Sequence, residues 1–363
     1  MEIRFPEYGN CIANLACSIL RYYGAEAPNP TLVQADQLLS RPFRNVVVLL
    51  LDGMGSSTVQ EHLHEDGFFR RNMICSYSST FPPTTVAATT AVMSGLYPNQ
   101  SAWLGWVGYF PDADRNVVYY TNKDNDTGEK IEGTNVAFDA VPYPDVFETL
   151  RNRGIPAYWL ASWREPKPRK FDQLCAEIQR LCALDEQKFI YAYWEEPDKT
   201  MHKKGVKSDN VQRLIRELES NVERMADQLN DTLLLITADH GLIDAETVML
   251  SQDEEVMRCL VRRPSMEARA LNLFVKEECR DRFEILFQQK YGMAYRLYPM
   301  EKARELHLLG MGQDHPKLKR MLGNYLAVAT EKMTLRIKDK YFIGEHAGLT
   351  ADEMTIPLIA IEK

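Results

Sequence analysis

Three stretches of the chain pair a run of β-branched and aliphatic residues with an aspartate at or just past its end. They are Asn45–Gly55 (NVVVLLLDGMG), Lys188–Asp198 (KFIYAYWEEPD) and Asp231–Gly241 (DTLLLITADHG). A strand with one face in water alternates apolar and polar residues, so a continuous apolar run needs cover on both faces, as in the centre of a parallel sheet. Ile155–Ser162 (IPAYWLAS) is a fourth candidate strand, and Met354–Lys363 (MTIPLIAIEK) reads as a core strand again. Helical patterns lie between them at Tyr143–Gly154 and Asn210–Leu229, the latter with apolar positions three and four apart. The alternation predicts an α/β fold with a doubly wound, mostly parallel sheet flanked by helices. Ligands of such sheets collect outside the carboxyl ends of the strands, so Asp52, Asp198 and Asp239 are expected to converge although the sequence spreads them apart.

At 363 residues the chain exceeds the ~250–300 at which a single core stops growing. After about residue 255 the elements become shorter and richer in charge. The expected organisation is a catalytic core over 1–255 plus 346–363, with a small α+β insertion over 256–345. The formal charge of −8 argues against a nucleic-acid polymer or an anionic membrane as partner, and an anionic substrate then needs local positive charge. The longest aliphatic run, Val46–Leu51, is far too short to span a bilayer, and the first ten residues lack a charged-then-apolar signal pattern, so a cytoplasmic location is expected. Seven cysteines with no C-x-x-C spacing are expected to be reduced core residues.

Asp198 and His202 are four apart just beyond a strand, which places both on one face if the chain turns helically there. Alone, such a pair is an ordinary surface feature. Asp239-His240 in TADHG and His346 in GEHAG extend it, although a lone histidine beside glycine is commonly a buried residue satisfied by a carbonyl. His62, His64, His307 and His315 lie in charged contexts and are expected to be solvated. Six candidate ligands result: Asp52, Asp198, His202, Asp239, His240 and His346. Carboxylates and imidazoles without thiolate suit zinc, and also manganese or iron. Six ligands are too many for one tetrahedral ion, whereas two ions about 4 Å apart suit phosphate-ester hydrolysis. Ser79–Pro98 (STFPPTTVAATTAVMSGLYP) supplies candidate nucleophiles, because Pro82 and Pro83 precede a small-residue helix whose first turn holds Thr84 and Thr85. A threonine there is either the helix N-cap or a nucleophile beside free N–H groups that favour a phosphoryl group, and the two roles can coexist.

LLLDGMG, TFPPTT…SGLYP, YWEEPDKTMHKKG, TADHG and GEHAGLTADEMTIPLIAI together resemble the alkaline phosphatase superfamily, and most closely its nucleotide pyrophosphatase/phosphodiesterase branch, in type and in order over about 45–363. The resemblance implies one zinc held by Asp198, His202 and His346, and a second by Asp52, Asp239, His240 and the nucleophile oxygen. It places the nucleophile ten residues before the glycine that ends its helix, which is Thr85; Thr80, ahead of the double proline, is the rival. Two divalent ions are then neutralised by three aspartates and an ionised threonine. The implied reaction is in-line attack by Thr85 on phosphorus, a covalent phosphothreonine, and hydrolysis by water. The chain departs from the branch where Pro83 and Thr84 stand instead of the asparagine that usually follows TFP, where SAWLGW replaces a histidine and an asparagine expected after GLYP, and at Ala347, where the branch usually has glycine. The second change removes an asparagine that steadies a phosphoryl oxygen, and Asn122 is the candidate replacement. Trp103, Trp106, Tyr109, Phe110, Tyr119 and Tyr120 either stack on a substrate ring or pack a β-flap. The expected substrate is a small phosphate ester or nucleotide. A phosphomonoesterase, a phosphonate hydrolase, or an inactive protein binding metal and nucleotide are the alternatives.

Overall fold

A computed structural model describes all 363 residues. The three carboxylate-tipped runs form adjacent parallel strands, Lys188–Trp194, Asn45–Leu51 and Thr232–Thr237, with every residue buried. Ala157–Leu160 extends this group in parallel beyond Lys188–Trp194. On the other side Thr355–Glu362 pairs antiparallel with Thr232–Thr237, and Met73–Ser78 closes the six-stranded sheet. The final strand is thus the one that runs against the others, and the sheet is mostly parallel as expected.

Helices cover both faces. Asp209–Ala226 starts at Ser208, whose hydroxyl accepts from the Val211 amide, and buries Val211, Ile215, Leu218, Val222 and Met225. Those positions recur three and four apart, so one stripe of the helix meets the sheet while the charged face stays wet. Burying each leucine-sized side chain contributes about 1.5–3 kcal/mol.

A second, seven-stranded antiparallel sheet draws on two separated parts of the chain. Tyr295–Pro299, Tyr325–Ala329, Ala270–Leu273 and Ser265–Glu267 come from the expected insertion. Val107–Phe110, Arg115–Val118 and Lys123–Asp124 come from the segment after the small-residue helix, joined through Met266 opposite Val107. The smaller unit therefore extends beyond 256–345 and takes in 107–124. A short hairpin has a local sequence signature, but its pairing with a strand more than 150 residues away has none.

The units are tied by a buried ion pair. Arg269 donates to both Glu353 carboxylate oxygens at 2.7 and 2.8 Å, and to the Glu331 and Met333 carbonyls at 2.9 and 2.6 Å. Glu353 also accepts from the Gly348 amide and the Thr350 hydroxyl, each at 2.7 Å, so neither charge is left unsatisfied. This network fixes the segment that follows His346.

Candidate functional site

Asp52 follows the central strand directly, and its amide donates to the Trp194 carbonyl at 3.0 Å. The next turn passes close to the helix carrying Asp198. Gly53 has φ +75, and a Cβ there would lie 3.0 Å from the Asp198 Cα, so both backbone conformation and space favour glycine. The Asp198 amide donates to the Asp52 carbonyl at 2.9 Å, which places Asp198 at the start of the Asp198–Lys204 helix. One turn on, His202 Nε2 lies 3.2 Å from Asp198 Oδ1. Asp239 and His240 follow the Thr232–Thr237 strand; Asp239 Oδ1 accepts from the Gly53 and His240 amides, each at 3.0 Å. The Gly344–Glu345 strand pairs with Ile243–Asp244 and delivers His346 beside His240, with ring centres 3.9 Å apart.

All six expected ligands therefore meet at one edge of the sheet. They form two groups of ligand atoms within 4.8 Å of one another: Asp198, His202 and His346, and Asp52, Asp198 and His240. Asp198 belongs to both, while Asp239 stands beside the second, its Oδ2 3.6 Å from His240 Nε2. His202, His240 and His346 each turn Nδ1 to a backbone carbonyl, of Gly344 (2.7 Å), Gly241 (3.2 Å) and Pro83 (3.2 Å). That anchoring leaves each Nε2 facing the site, as histidine ligands require. Asp198 Oδ1 and Asp239 Oδ2 are buried without a hydrogen-bond partner. Burial, then the Asp198 charge, pushes the Asp52 carboxyl well above its ordinary range; burial, then Asp52, does the same to Asp239. Burial and the neighbouring His240 hold the His346 ring neutral. Orphaned carboxylate oxygens and crowded negative charge, beside three imidazoles anchored through Nδ1, fit a divalent cation.

The Thr85–Ser94 helix aims at this cluster. Thr85 Oγ lies 3.4 and 3.5 Å from the Asp52 oxygens and 3.3 Å from His240 Nε2. Thr84 occupies the N-cap position, yet its hydroxyl turns to Glu267 Oε1 at 2.6 Å instead of capping the helix. The Thr80 hydroxyl is buried with no partner. The cluster therefore receives Thr85.

Several side chains differ from expectation. Asn122 is consumed by the Ile131 and Thr134 carbonyls and the Val136 amide, so its amide is not free to steady a phosphoryl oxygen. His62, expected in solvent, is buried with Nε2 2.9 Å from the Val206 carbonyl, because its helix faces the core at that position. Of the flap aromatics, Trp103 is fully buried and its indole donates to the Val141 carbonyl, whereas Trp106 stays exposed at the mouth of the site. Sequence reasoning missed Tyr193, whose hydroxyl hydrogen-bonds Asp52, and Phe342, stacked on His202 at 4.2 Å. It also missed Glu267, which accepts from Thr84 and from the Trp106 amide. The period-two pattern of Lys188–Trp194 contains the signal for Tyr193, since alternate residues of a strand share a face. Phe342 and Glu267 carry no comparable signal.

A mostly parallel sheet with clustered carboxylates, imidazoles and a helix-terminal threonine at its carboxyl edge defines a metal-dependent hydrolase of phosphate esters. The type I phosphodiesterase / nucleotide pyrophosphatase family model matches residues 46–281, and the chain belongs to that family. It is accordingly a hydrolase of phosphodiester or phosphoanhydride bonds, and it requires metal. Among solved structures, it is similar to human ectonucleotide pyrophosphatase / phosphodiesterase 5, with TM-score 0.65 and 16% identity over 87% of each chain. It is also similar to an inactive threonine-to-alanine variant of the murine protein in complex with AMP, with TM-score 0.63 and 14% identity over 88% of each chain. No curated protein matches the chain in sequence.

Proposed function

We propose that the chain hydrolyses small phosphodiesters or nucleotide anhydrides through a covalent phosphothreonine on Thr85, with two zinc ions as cofactors. Asp198, His202 and His346 would hold one ion, and Asp52, Asp239, His240 and the Thr85 oxygen the other. The absence of thiolate from the ligand set favours zinc or manganese. The observation that carries the reading is the Thr85 hydroxyl at 3.3–3.5 Å from His240 and Asp52, at the first position of a ten-residue helix.

Bound divalent cations neutralise the buried carboxylates, lower the pKa of the threonine hydroxyl and polarise the phosphoryl group. The protein's part is position. The double proline and the left-handed Gly95 set both ends of the nucleophile's helix. The first-turn amides offer donors to a phosphoryl oxygen, and Tyr193 holds one Asp52 oxygen in place. The Thr85 oxygen forms a bond to phosphorus as the bond to the leaving oxygen breaks. Water then hydrolyses the phosphothreonine ester and returns the hydroxyl. The inactive threonine-to-alanine variant of the murine neighbour and its AMP complex support a threonine-dependent reaction on nucleotides. Seven free cysteines support a reducing, cytoplasmic setting.

Zinc-supported hydrolysis of bis(p-nitrophenyl) phosphate should exceed that of p-nitrophenyl phosphate and vanish in Thr85→Ala. Preference for the monoester would make the protein a phosphatase, and full activity in the variant would remove Thr85 from the mechanism.

A further inference from the structure

The metal edge is one side of a cavity of about 520 Å³, and the opposite wall comes from the smaller unit. That wall carries Lys123, Lys338 and Lys340, none with a paired carboxylate, and Arg336, which is bound to Glu345. Its other carboxylate, Glu267, meets the helix that presents Thr85. By charge alone a carboxylate beside a site for an anionic phosphoryl group is unfavourable, so its place there calls for a compensating role.

That role is visible at the helix end. Thr84 has the extended backbone of an N-cap, with φ −147 and ψ 149, and the Ala88 amide donates to its carbonyl at 3.0 Å, closing the first turn. A threonine so placed ordinarily turns its hydroxyl oxygen onto an amide two or three residues on, which is then consumed. Here no side chain caps the helix. The Thr84 hydroxyl donates instead to Glu267 Oε1 at 2.6 Å, and the Trp106 amide donates to the same oxygen at 2.6 Å. A hydrogen bond to an ionised acceptor is roughly twice as strong as one between neutral groups, so the carboxylate draws the hydroxyl away from the amides. The first-turn amides of Thr85, Val86 and Ala87 are thereby left for an anion lying over the helix end, beside the Thr85 oxygen.

The surroundings hold Glu267 to this position. Gly105 leaves it room, since a Cβ there would lie 3.1 Å from the Glu267 Cγ. Met266, opposite Val107 and Leu271 in the smaller sheet, has φ +72, a left-handed backbone conformation uncommon for any residue but glycine. Strain of this kind persists only where the fold over-determines it, and here it directly precedes Glu267. Two residues beyond, Arg269 is fixed by its ion pair with Glu353.

We propose that Glu267 is a positioning residue for the hydrolysis: it withholds the Thr84 hydroxyl from the helix end and so reserves the first-turn amides for a phosphoryl oxygen of the substrate. This rests on the reading that places the phosphoryl group at the Thr85 end of that helix. Glu267 acts through Thr84, from a unit of the protein that contributes no candidate metal ligand before His346.

Charge and position predict opposite signs, and calorimetric titration of the zinc-loaded protein with orthophosphate separates them. Were Glu267 only a negative charge near the anion, Glu267→Ala would tighten phosphate binding. The positioning role predicts a loss of about fivefold or more, because the released Thr84 hydroxyl caps the helix and takes an amide from the phosphate. In a Thr84→Ala background no hydroxyl remains to cap, and the same Glu267→Ala change should strengthen binding instead. Any contribution of the Trp106 loop is common to both backgrounds and cancels in the comparison. Glu267→Gln keeps the shape and an acceptor for the Trp106 amide while losing the charge, and should show the same dependence on background at reduced size. Turnover of bis(p-nitrophenyl) phosphate should follow, with kcat/KM about tenfold lower in Glu267→Ala and largely restored when Thr84→Ala is added, a rescue that loss of a merely structural contact would not give. Unchanged or tighter phosphate binding in Glu267→Ala with Thr84 present, or equal losses in the two backgrounds, overturns the inference. Full activity in Thr85→Ala would sink the phosphothreonine reading, and the phosphate titration would still decide this one.

Discussion

Two faces of one cavity reach opposite electrostatic character by different structural routes. The floor, at the carboxyl edge of the larger sheet, concentrates negative charge on the buried Asp52 and Asp239 and the half-buried Asp198, each of which follows a strand by a few residues. The wall, from the smaller sheet and its 336–342 segment, concentrates positive charge on exposed lysines carried by a loop and a two-residue strand. Buried charge demands a partner at a fixed place, and exposed charge tolerates movement because water screens it. Rigidity therefore belongs to the floor, where bonds are made and broken, and adaptability to the lysines of the wall.

The largest expected effect tests the floor. Thr85→Ala should lower kcat by about a thousandfold or more, as loss of a nucleophile does elsewhere, with the melting temperature and metal content retained. Steady-state kinetics beside elemental analysis would check this, and a variant that keeps its rate would detach chemistry from the floor.

Next comes the tie between the units. Replacing Glu353 by Gln leaves Arg269 buried with half its partner lost and should destabilise the protein by about 3–5 kcal/mol in denaturant titrations. If the loss stays under about 1 kcal/mol, floor and wall are held together by something other than this pair.

Metal removal sharpens the contrast in charge. In the metal-free protein, burial and mutual repulsion raise Asp52 and Asp239 above the ordinary carboxylate value of 3.8, so the folded state keeps protons that the unfolded chain has released. Stability is then greatest below that ordinary value and declines as pH rises toward the raised ones. Chelated protein should melt several degrees lower at pH 8 than at pH 5, and zinc should flatten the difference. The depressed His346 ring acts in the opposite sense, adding stability as pH rises through its ordinary value, so the measurement is made in His346→Asn, where a metal-free melting temperature that climbs over this interval would contradict the crowded-carboxylate picture.

The smallest effect concerns Ala347, which holds φ +86 beside His346, a conformation that favours glycine. Ala347→Gly should stabilise by at most about 1 kcal/mol, because relief of strain is partly offset by a more flexible unfolded chain. Zinc titration should show unchanged affinity; a large gain would mean that the strain works against metal binding.

The floor was legible in the sequence because its residues are anchored to patterns with a physical period. Continuous apolar runs mark buried parallel strands, and an aspartate placed just after such a run has to emerge at the carboxyl edge. The four-residue spacing of Asp198 and His202 sets their common face, and the proline pair ahead of Thr85 sets where its helix begins. The wall was not legible. Lys338 and Lys340 sit in a segment without periodicity, and nothing in the sequence around Lys123 marks its hairpin as an extension of the sheet of the 256–345 segment. Asn122 misled for the same reason: its place in the sequence suggested a free amide, whereas three local backbone partners consume it.

What the chain determined by itself is the parallel centre of the larger sheet and the aspartates at its carboxyl edge, since each follows from short-range spacing and burial; the choice of Thr85 over Thr84 and Thr80 came from the family resemblance. The tertiary structure alone decided that Asp198 stands between both ligand groups, that Thr84 turns to Glu267, and that three unpaired lysines face the metal edge. Those facts rest on contacts between segments from about 40 to more than 200 residues apart, where no local periodicity constrains the partner and only the packing of the chain brings the groups within reach.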